Sequence, residues 1–416
     1  MKVARITLFT LLAALVAVGV STTSYAFHSG GVAECGGCHA MHTAKLGAPS
    51  LLVGSDPSSA CLTCHQNAAD TGPSSYHVST DPGKLTAGLS PLQRTPGGDF
   101  GWLKKTYSFT QRGSTITEPG ETHGHNIIAL DFGFAAGLTD NIVSPGGSYP
   151  SSQLGCQSCH DPHGKARRIV GNTVVKPAIS TAVLPIKASG SYDNTTTNEP
   201  DATAAVGVYR LLASAGYTTG NVTFAGVPAA KAPATYNRTE AITQTRVAYG
   251  YATTGGQIGW GAWCGTCHAG MHTGGNIHPI DQSLGTADAA MYNAYKKSGD
   301  LTGSSTSSFL SLVPFAEDSG DYGVVLAPHA KNNDSFLSGP ASNDRVTCLS
   351  CHRAHASAFP DMLRWNMEGE LITTAGVYGT GRGRTEAEWV ASYYDRQPTM
   401  WASYQRVLCN KCHGKD

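Results

Sequence analysis

All twelve cysteines of the chain fall in C-x-x-C pairs, and every pair is followed at once by histidine. The six motifs are CGGCH (Cys35, Cys38, His39), CLTCH (Cys61, Cys64, His65), CQSCH (Cys156, Cys159, His160), CGTCH (Cys264, Cys267, His268), CLSCH (Cys348, Cys351, His352) and CNKCH (Cys409, Cys412, His413). Chance would place one of the 16 histidines behind all six pairs roughly three times in a billion, so neither a disulfide framework nor a zinc site explains the pattern. Covalent haem attachment does. Two thioether bonds clamp the macrocycle, and the adjacent histidine reaches the iron from the same side. The expectation is six haem c groups, with the six motif histidines as proximal ligands.

Ten histidines remain for the opposite face of each iron: His28, His42, His77, His123, His125, His163, His272, His278, His329 and His355. Six are needed if every iron has two histidines, a ligation that keeps the potential low. His42, His163 and His355 each stand three residues past a proximal histidine, in CHAMH, CHDPH and CHRAH. Such a residue is pinned to one face of its own haem by the thioethers and cannot reach the other. It serves a second haem or none. His272, four past His268, falls under the same argument more loosely. Among the distal candidates His28, His42, His125, His163, His329 and His355 rank first, His77, His272 and His278 second, and His123 last.

The rest of the chain bounds how such sites are housed. Residues 1–26 carry Lys2 and Arg5, an apolar run from Ile6 to Val20 and small residues ending at Ala26, which reads as a secretory signal peptide. The expected mature chain is one hexahaem domain, 27–416, with no later run of the ~18 apolar residues a membrane span needs. Without Lys2 and Arg5 it has 27 basic against 29 acidic side chains, and no basic stripe suggests nucleic acid. A compact chain of this length has a radius of gyration of about 21 Å, so six macrocycles cannot be insulated from one another. The expected fold is mostly coil, with few short helices and very little strand, around a continuous stacked haem array.

Composition agrees, since glycine and proline make up 70 of 416 residues. Residues 189–205 and 302–309 read as loops. Helices are expected over 288–297 and from a Thr385/Glu388 capping box to Tyr394, with apolar residues at helical spacing over 399–409. Residues 169–175 read as a small hairpin about Gly171-Asn172. Trp260, Trp263 and Tyr404 stand ahead of motifs and suit haem edges or ordinary core equally. Arg167, Arg168, Lys104, Lys105, Lys296 and Lys297 suit propionates or a solvated face.

Beyond the motifs, longer stretches carry a resemblance. FHSGGVAEC…CHAMH (27–42), DTGPSSYH (70–77), PLQRTPGGDFGWLKKTY (91–107), CHDPHGK (159–165), TYNRTEAITQTRVAYG (235–250), YKKSGDLTG (295–303), CLSCHRAHAS (348–357) and VLCNKCH (407–413) are similar to the outer-surface hexahaem cytochromes of the extracellular cytochrome nanowire family. The resemblance implies bis-histidine haems, a coil-rich fold and head-to-tail assembly into extracellular filaments. Such filaments carry electrons from periplasmic and outer-membrane cytochromes to minerals, electrodes or partner cells. It also implies that one haem of each subunit takes its distal ligand from the next, at the position of His42. A heterologous contact that does not close gives an open filament.

A monomeric periplasmic or outer-surface shuttle and a nitrite- or hydroxylamine-type reductase share the motifs. The reductase needs an iron with an open position, often marked by lysine in the motif, and no C-x-x-C-K occurs. The histidine surplus predicts six low-spin, six-coordinate irons per chain. Optical titration of the reduced protein with carbon monoxide checks this: no binding is expected, whereas uptake at about one haem per chain would favour an enzyme.

Overall fold

The computed structural model describes residues 35–416 apart from 41, 43, 75, 138–141, 163–167, 171–172, 176–187, 190–205, 208–211, 234–239, 241–243, 255–256, 273–277, 332–336, 380–381 and 415–416; it gives no side-chain description for 35, 168–170, 173–175, 188–189, 206–207, 272 and 322–323. Coil dominates, as expected. The longest helix among the described residues is Gly285–Ala294, and the longest strands, Tyr107–Gln111 and Ser114–Glu118, form a five-residue hairpin. Among these residues no helix is long and apolar enough to cross a membrane.

The short helices are set by local chemistry and deliver the motifs. Asp56 caps Pro57–His65 by accepting from Ser59 N at 2.8 Å, with Pro57 pre-set for the first turn, and the helix ends on the second motif's histidine. Trp260–Gly265 leads into the fourth motif. Its first turn is capped from a distance by Asp281, whose carboxylate accepts from Gly261 N (3.0 Å) and Ala262 N (2.9 Å). Position 261 must be glycine, because a Cβ there would lie 2.2 Å from Ile280 Cγ2.

Three helical expectations are corrected or trimmed by tertiary contacts. The 288–297 helix forms as Gly285–Ala294 instead, because Tyr295 leaves helical geometry and buries its ring, its hydroxyl accepting from Gln405 Nε2 at 2.6 Å. The helix capped by the Thr385/Glu388 box stops at Ser392; Tyr394 and Asp395 turn left-handed to meet Thr95 and Arg94. Residues 399–409 are not a helix. Gln405 and Arg406 pair with the 371–373 backbone, leaving only the 3-10 turns Pro398–Met400 and Leu408–Lys411. The small hairpin does form, with Ile169 opposite Val174.

Buried apolar side chains gather in four clusters rather than one core. The largest joins Trp365, Trp389, Tyr393, Phe359 and Tyr378, and Cys351, Cys409 and Cys412 pack on its edge. The second holds Trp260 and Trp263, whose indole nitrogens donate to Ala229 O and Ala213 O, with Cys159 and Cys264 at its edge. Both tryptophans are therefore core residues. Nor are Lys104 and Lys105 a solvated face: Lys104 donates to Phe132 O, and Lys105 pairs with Glu388 at 2.8 Å while buried.

One ion cluster lies deep between these regions. The Glu240 carboxylate faces Arg353 (3.2 Å) and Arg364 (3.7 Å), and Arg396 donates to its backbone carbonyl; all four residues are at most 3 % exposed. Removing the negative charge strands guanidinium groups away from water. Glu240→Gln should destabilise the protein by about 3–5 kcal/mol, measured by denaturant unfolding of the haem-loaded chain. A loss below about 1 kcal/mol would mean the arginines are compensated otherwise.

Candidate haem array

The thiols of successive motifs approach one another in sequence order. Cys61 lies within hydrogen-bonding reach of Cys156 and is also influenced by Cys38. Cys159 lies near Cys267, Cys264 lies within hydrogen-bonding reach of Cys348, and Cys351 lies near Cys409 and Cys412. The second to sixth motifs thus neighbour one another in sequence order, and the first lies close enough to the second for its Cys38 to act on Cys61 electrostatically. Burial pushes the Cys159, Cys351 and Cys412 thiols up to about 12, so these groups are neutral at pH 7 and poor thiolate ligands. The eleven cysteines with described side chains form no disulfide. Among the described residues no group of three or more His, Cys, Asp or Glu converges as it would on a bare metal ion.

Most motif histidines are held through one nitrogen. Nδ1 of His39 lies 2.7 Å from Ser50 O, His65 2.8 Å from Tyr76 O, His268 2.9 Å from Pro145 O and His352 2.7 Å from Asp361 O. A carbonyl only accepts, so each Nδ1 carries the proton and each Nε2 presents its lone pair. That is the tautomer an iron ligand needs. His125 is held the same way by Ala354 O at 2.8 Å. Burial, its main influence, pulls His125 down to about 4 and lowers His352 as well, so both imidazoles stay neutral.

Among the described residues three pairs of histidine rings stand opposite one another, tilted. Ring centres lie 6.3 Å apart for His160 and His355, 6.1 Å for His125 and His268, and 6.0 Å for His278 and His413. A metal–imidazole bond of about 2 Å puts the two rings of a bis-histidine iron about 6 Å apart, centre to centre. The donor set therefore fits haem c: two cysteines, a histidine of the right tautomer and a second histidine across an iron-sized gap. The sixth motif adds a cavity of about 380 Å³ lined by Cys409, His413, Asn410, Val407, Arg406 and Glu370.

Glycine makes the central pairing possible. His125 N donates to His355 O, and His355 N donates to Gly97 O. Gly98 and Gly124 both bridge to Ala356. A Cβ on Gly98, which sits at φ +97°, would lie 1.7 Å from Ala356 O, and one on Gly124 would lie 2.5 Å from Ala356 Cβ. Three distant segments thus fix His125 and His355, each of which stands opposite a different motif histidine, with the His355 ring stacked on Phe100 at 4.8 Å.

Other sequence candidates are placed differently. His77 is 3 % exposed with Nδ1 2.6 Å from Asp70 Oδ2, and His329 Nδ1 lies 2.8 Å from Glu317 Oε1. His123, fully buried, has both nitrogens engaged, by Glu118 and Trp102 O. His42 is exposed on the loop after the first motif. His28, His163 and the His272 side chain lie outside the described residues. His278, in the second rank of the sequence candidates, stands opposite His413.

No family model matches the chain. It is 50% identical to C-type cytochrome OmcS of Geobacter sulfurreducens (strain ATCC 51573 / DSM 12127 / PCA), over 94% of this chain and 95% of that relative. Two solved structures from the same organism, an Outer Membrane Cytochrome S filament and the OmcS nanowires, match with TM-scores of 0.82 and 0.83; each is 48% identical and covers 94% of this chain and all of theirs. With facing histidines, thiols in chain order and this likeness along nearly its whole length, the chain belongs to the family of the multihaem c-type cytochrome OmcS.

Proposed function

We propose that this protein is an extracellular electron carrier, not an enzyme, that holds six haem c groups and polymerises head to tail into conductive filaments. The observation that carries the reading is the run of six attachment motifs neighbouring one another in sequence order, with three histidine pairs at iron-spanning distance. The likeness to filament-forming OmcS supports the polymer. Bound haem would supply the reversible Fe(III)/Fe(II) couple. The chain supplies the rest: thioether anchors, oriented imidazoles and apolar clusters that keep water from the sites. Upstream donors are periplasmic or outer-membrane cytochromes and acceptors lie outside the cell, reached after signal-directed export.

The observed pairs follow one rule. His355, third after the proximal histidine of the fifth motif, faces His160 of the third. His125, upstream of the third motif, faces His268 of the fourth, and His278, upstream of the fifth, faces His413 of the sixth. The third-position histidine of an odd motif serves the odd site before it; the histidine upstream serves the even site after it. Extended along the chain, His163 serves the His39 site and His28 the His65 site. By this rule the His352 site is assigned no donor from its own chain. It is completed by His42 of a neighbouring subunit, which has no earlier odd site of its own to serve. His278 serves the His413 site, while the side chains of His77, His123 and His329 lie against carboxylates instead.

Removing single imidazoles tests the assignment. His125→Ala, His278→Ala and His355→Ala should each convert one of six haems to a five-coordinate or water-ligated form, visible as a high-spin band. His77→Gln and His329→Gln should leave six low-spin haems, and the reverse pattern would refute the rule.

The joint has its own test. His42→Ala should keep six haems attached, because no thioether is touched, yet abolish or weaken filaments in negative-stain micrographs and add one high-spin haem per chain. Normal filaments with six unchanged low-spin haems would show that His42 is a surface residue.

A further inference from the structure

The carbonyls that hold His39 and His352 come from two copies of one unusual turn. After the first motif, Pro49–Leu51 forms a 3-10 turn with Ser50 at φ 53°, ψ 31° and Leu51 at φ 58°. After the fifth, Pro360–Met362 repeats it, with Asp361 at φ 57°, ψ 24° and Met362 at φ 59°. These four are among only nine described non-glycine residues with positive φ. In each turn the first left-handed residue aims its carbonyl at Nδ1 of the proximal histidine, at 2.7 Å both times.

The surrounding frame is duplicated too. Leu51 O accepts from Ala40 N (2.9 Å) as Met362 O accepts from Arg353 N (2.8 Å). Cys38 O accepts from Val53 N (3.0 Å) as Cys351 O accepts from Arg364 N (2.8 Å). His39 bridges to Leu52 as His352 bridges to Leu363. The third motif shares the outer frame, His160 bridging to Leu212 and Ala213 N donating to Cys159 O at 2.9 Å. His65 and His268 are held instead by Tyr76 and Pro145, neither of which is left-handed.

Left-handed geometry disfavours side chains, so it persists only where the surroundings impose it, typically at functional sites. We propose that Ser50-Leu51 and Asp361-Met362 are positioning residues: strained turns that clamp the Nδ1 proton of His39 and His352 and so fix ring orientation and donor strength at these two sites. The inference rests on the proposed reading of His39 and His352 as proximal ligands. A firmly held Nδ1–H makes Nε2 a stronger donor to Fe(III) and keeps the local potential low.

The test is spectroelectrochemical titration of the full, haem-loaded chain. Ser50→Val and Asp361→Val put a β-branched residue where left-handed geometry is least tolerated and should swing the carbonyl away. One haem should then be reduced more easily, its reduced-to-oxidised ratio at fixed potential rising by about tenfold, the lower end of what an outer partner of a ligating histidine contributes. Ser50→Gly and Asp361→Gly keep the turn and should titrate as wild type. If the valine variants fail to mature, Ser50→Ala and Asp361→Ala should shift in the same direction by less. Valine or alanine variants that titrate as wild type would overturn the proposal. The ligand reading is checked separately by His352→Ala, which removes a low-spin haem only if His352 binds iron.

Discussion

The structure depends on a hydrogen bond that spends one imidazole nitrogen to free the other. A histidine whose Nδ1 proton is taken by a backbone carbonyl has a fixed tautomer and a fixed ring plane. His39, His65, His125, His268 and His352 are all held this way, by the carbonyls of Tyr76, Pro145 and Ala354 in loops and of Ser50 and Asp361 in kinked 3-10 turns. Loops and kinked turns, not regular helices, supply those carbonyls, because a helical carbonyl already has an amide partner. A protein that needs many free carbonyls at chosen places has reason to be mostly coil, and its regular elements shrink to whatever delivers the next motif.

The same constraint explains the divided interior. Three of the four apolar clusters have motif cysteines packed at their edges, so the interior is divided around the attachment motifs. Polar matter buried among them must be compensated locally, as Glu240 does for Arg353 and Arg364, and Glu118 for His123 and Arg384. Histidine is thus used in two ways. Carbonyl-bound rings are half-buried. His77 and His123 are fully packed, with their charge partners Asp70 and Glu118 close by in sequence.

Legibility from sequence divides along the same line. The attachment motifs are local in sequence and can be recognised without the fold, and the expectation that His42, His163 and His355 do not cap their own haems needs only the reach of a few residues. Which ring meets which could not be read. The His125–His268 and His160–His355 pairs depend on Gly98 and Gly124 letting distant strands touch Ala356. The carboxylate partner of His329, Glu317, is likewise brought close only by folding. The helical periodicity of 399–409 lost to pairing of Gln405 and Arg406 with the 371–373 backbone, a contact no local pattern announces.

The central claim is that assembly continues the ligand pattern of the chain across the joint. A cryo-EM reconstruction of the secreted filament, at a resolution that shows axial ligands, tests it most directly. The account predicts that the iron at the His352 site carries the imidazole of His42 from the adjoining subunit. Closure of that site by a histidine of the same chain, or a secreted protein that consists of single particles, would contradict it.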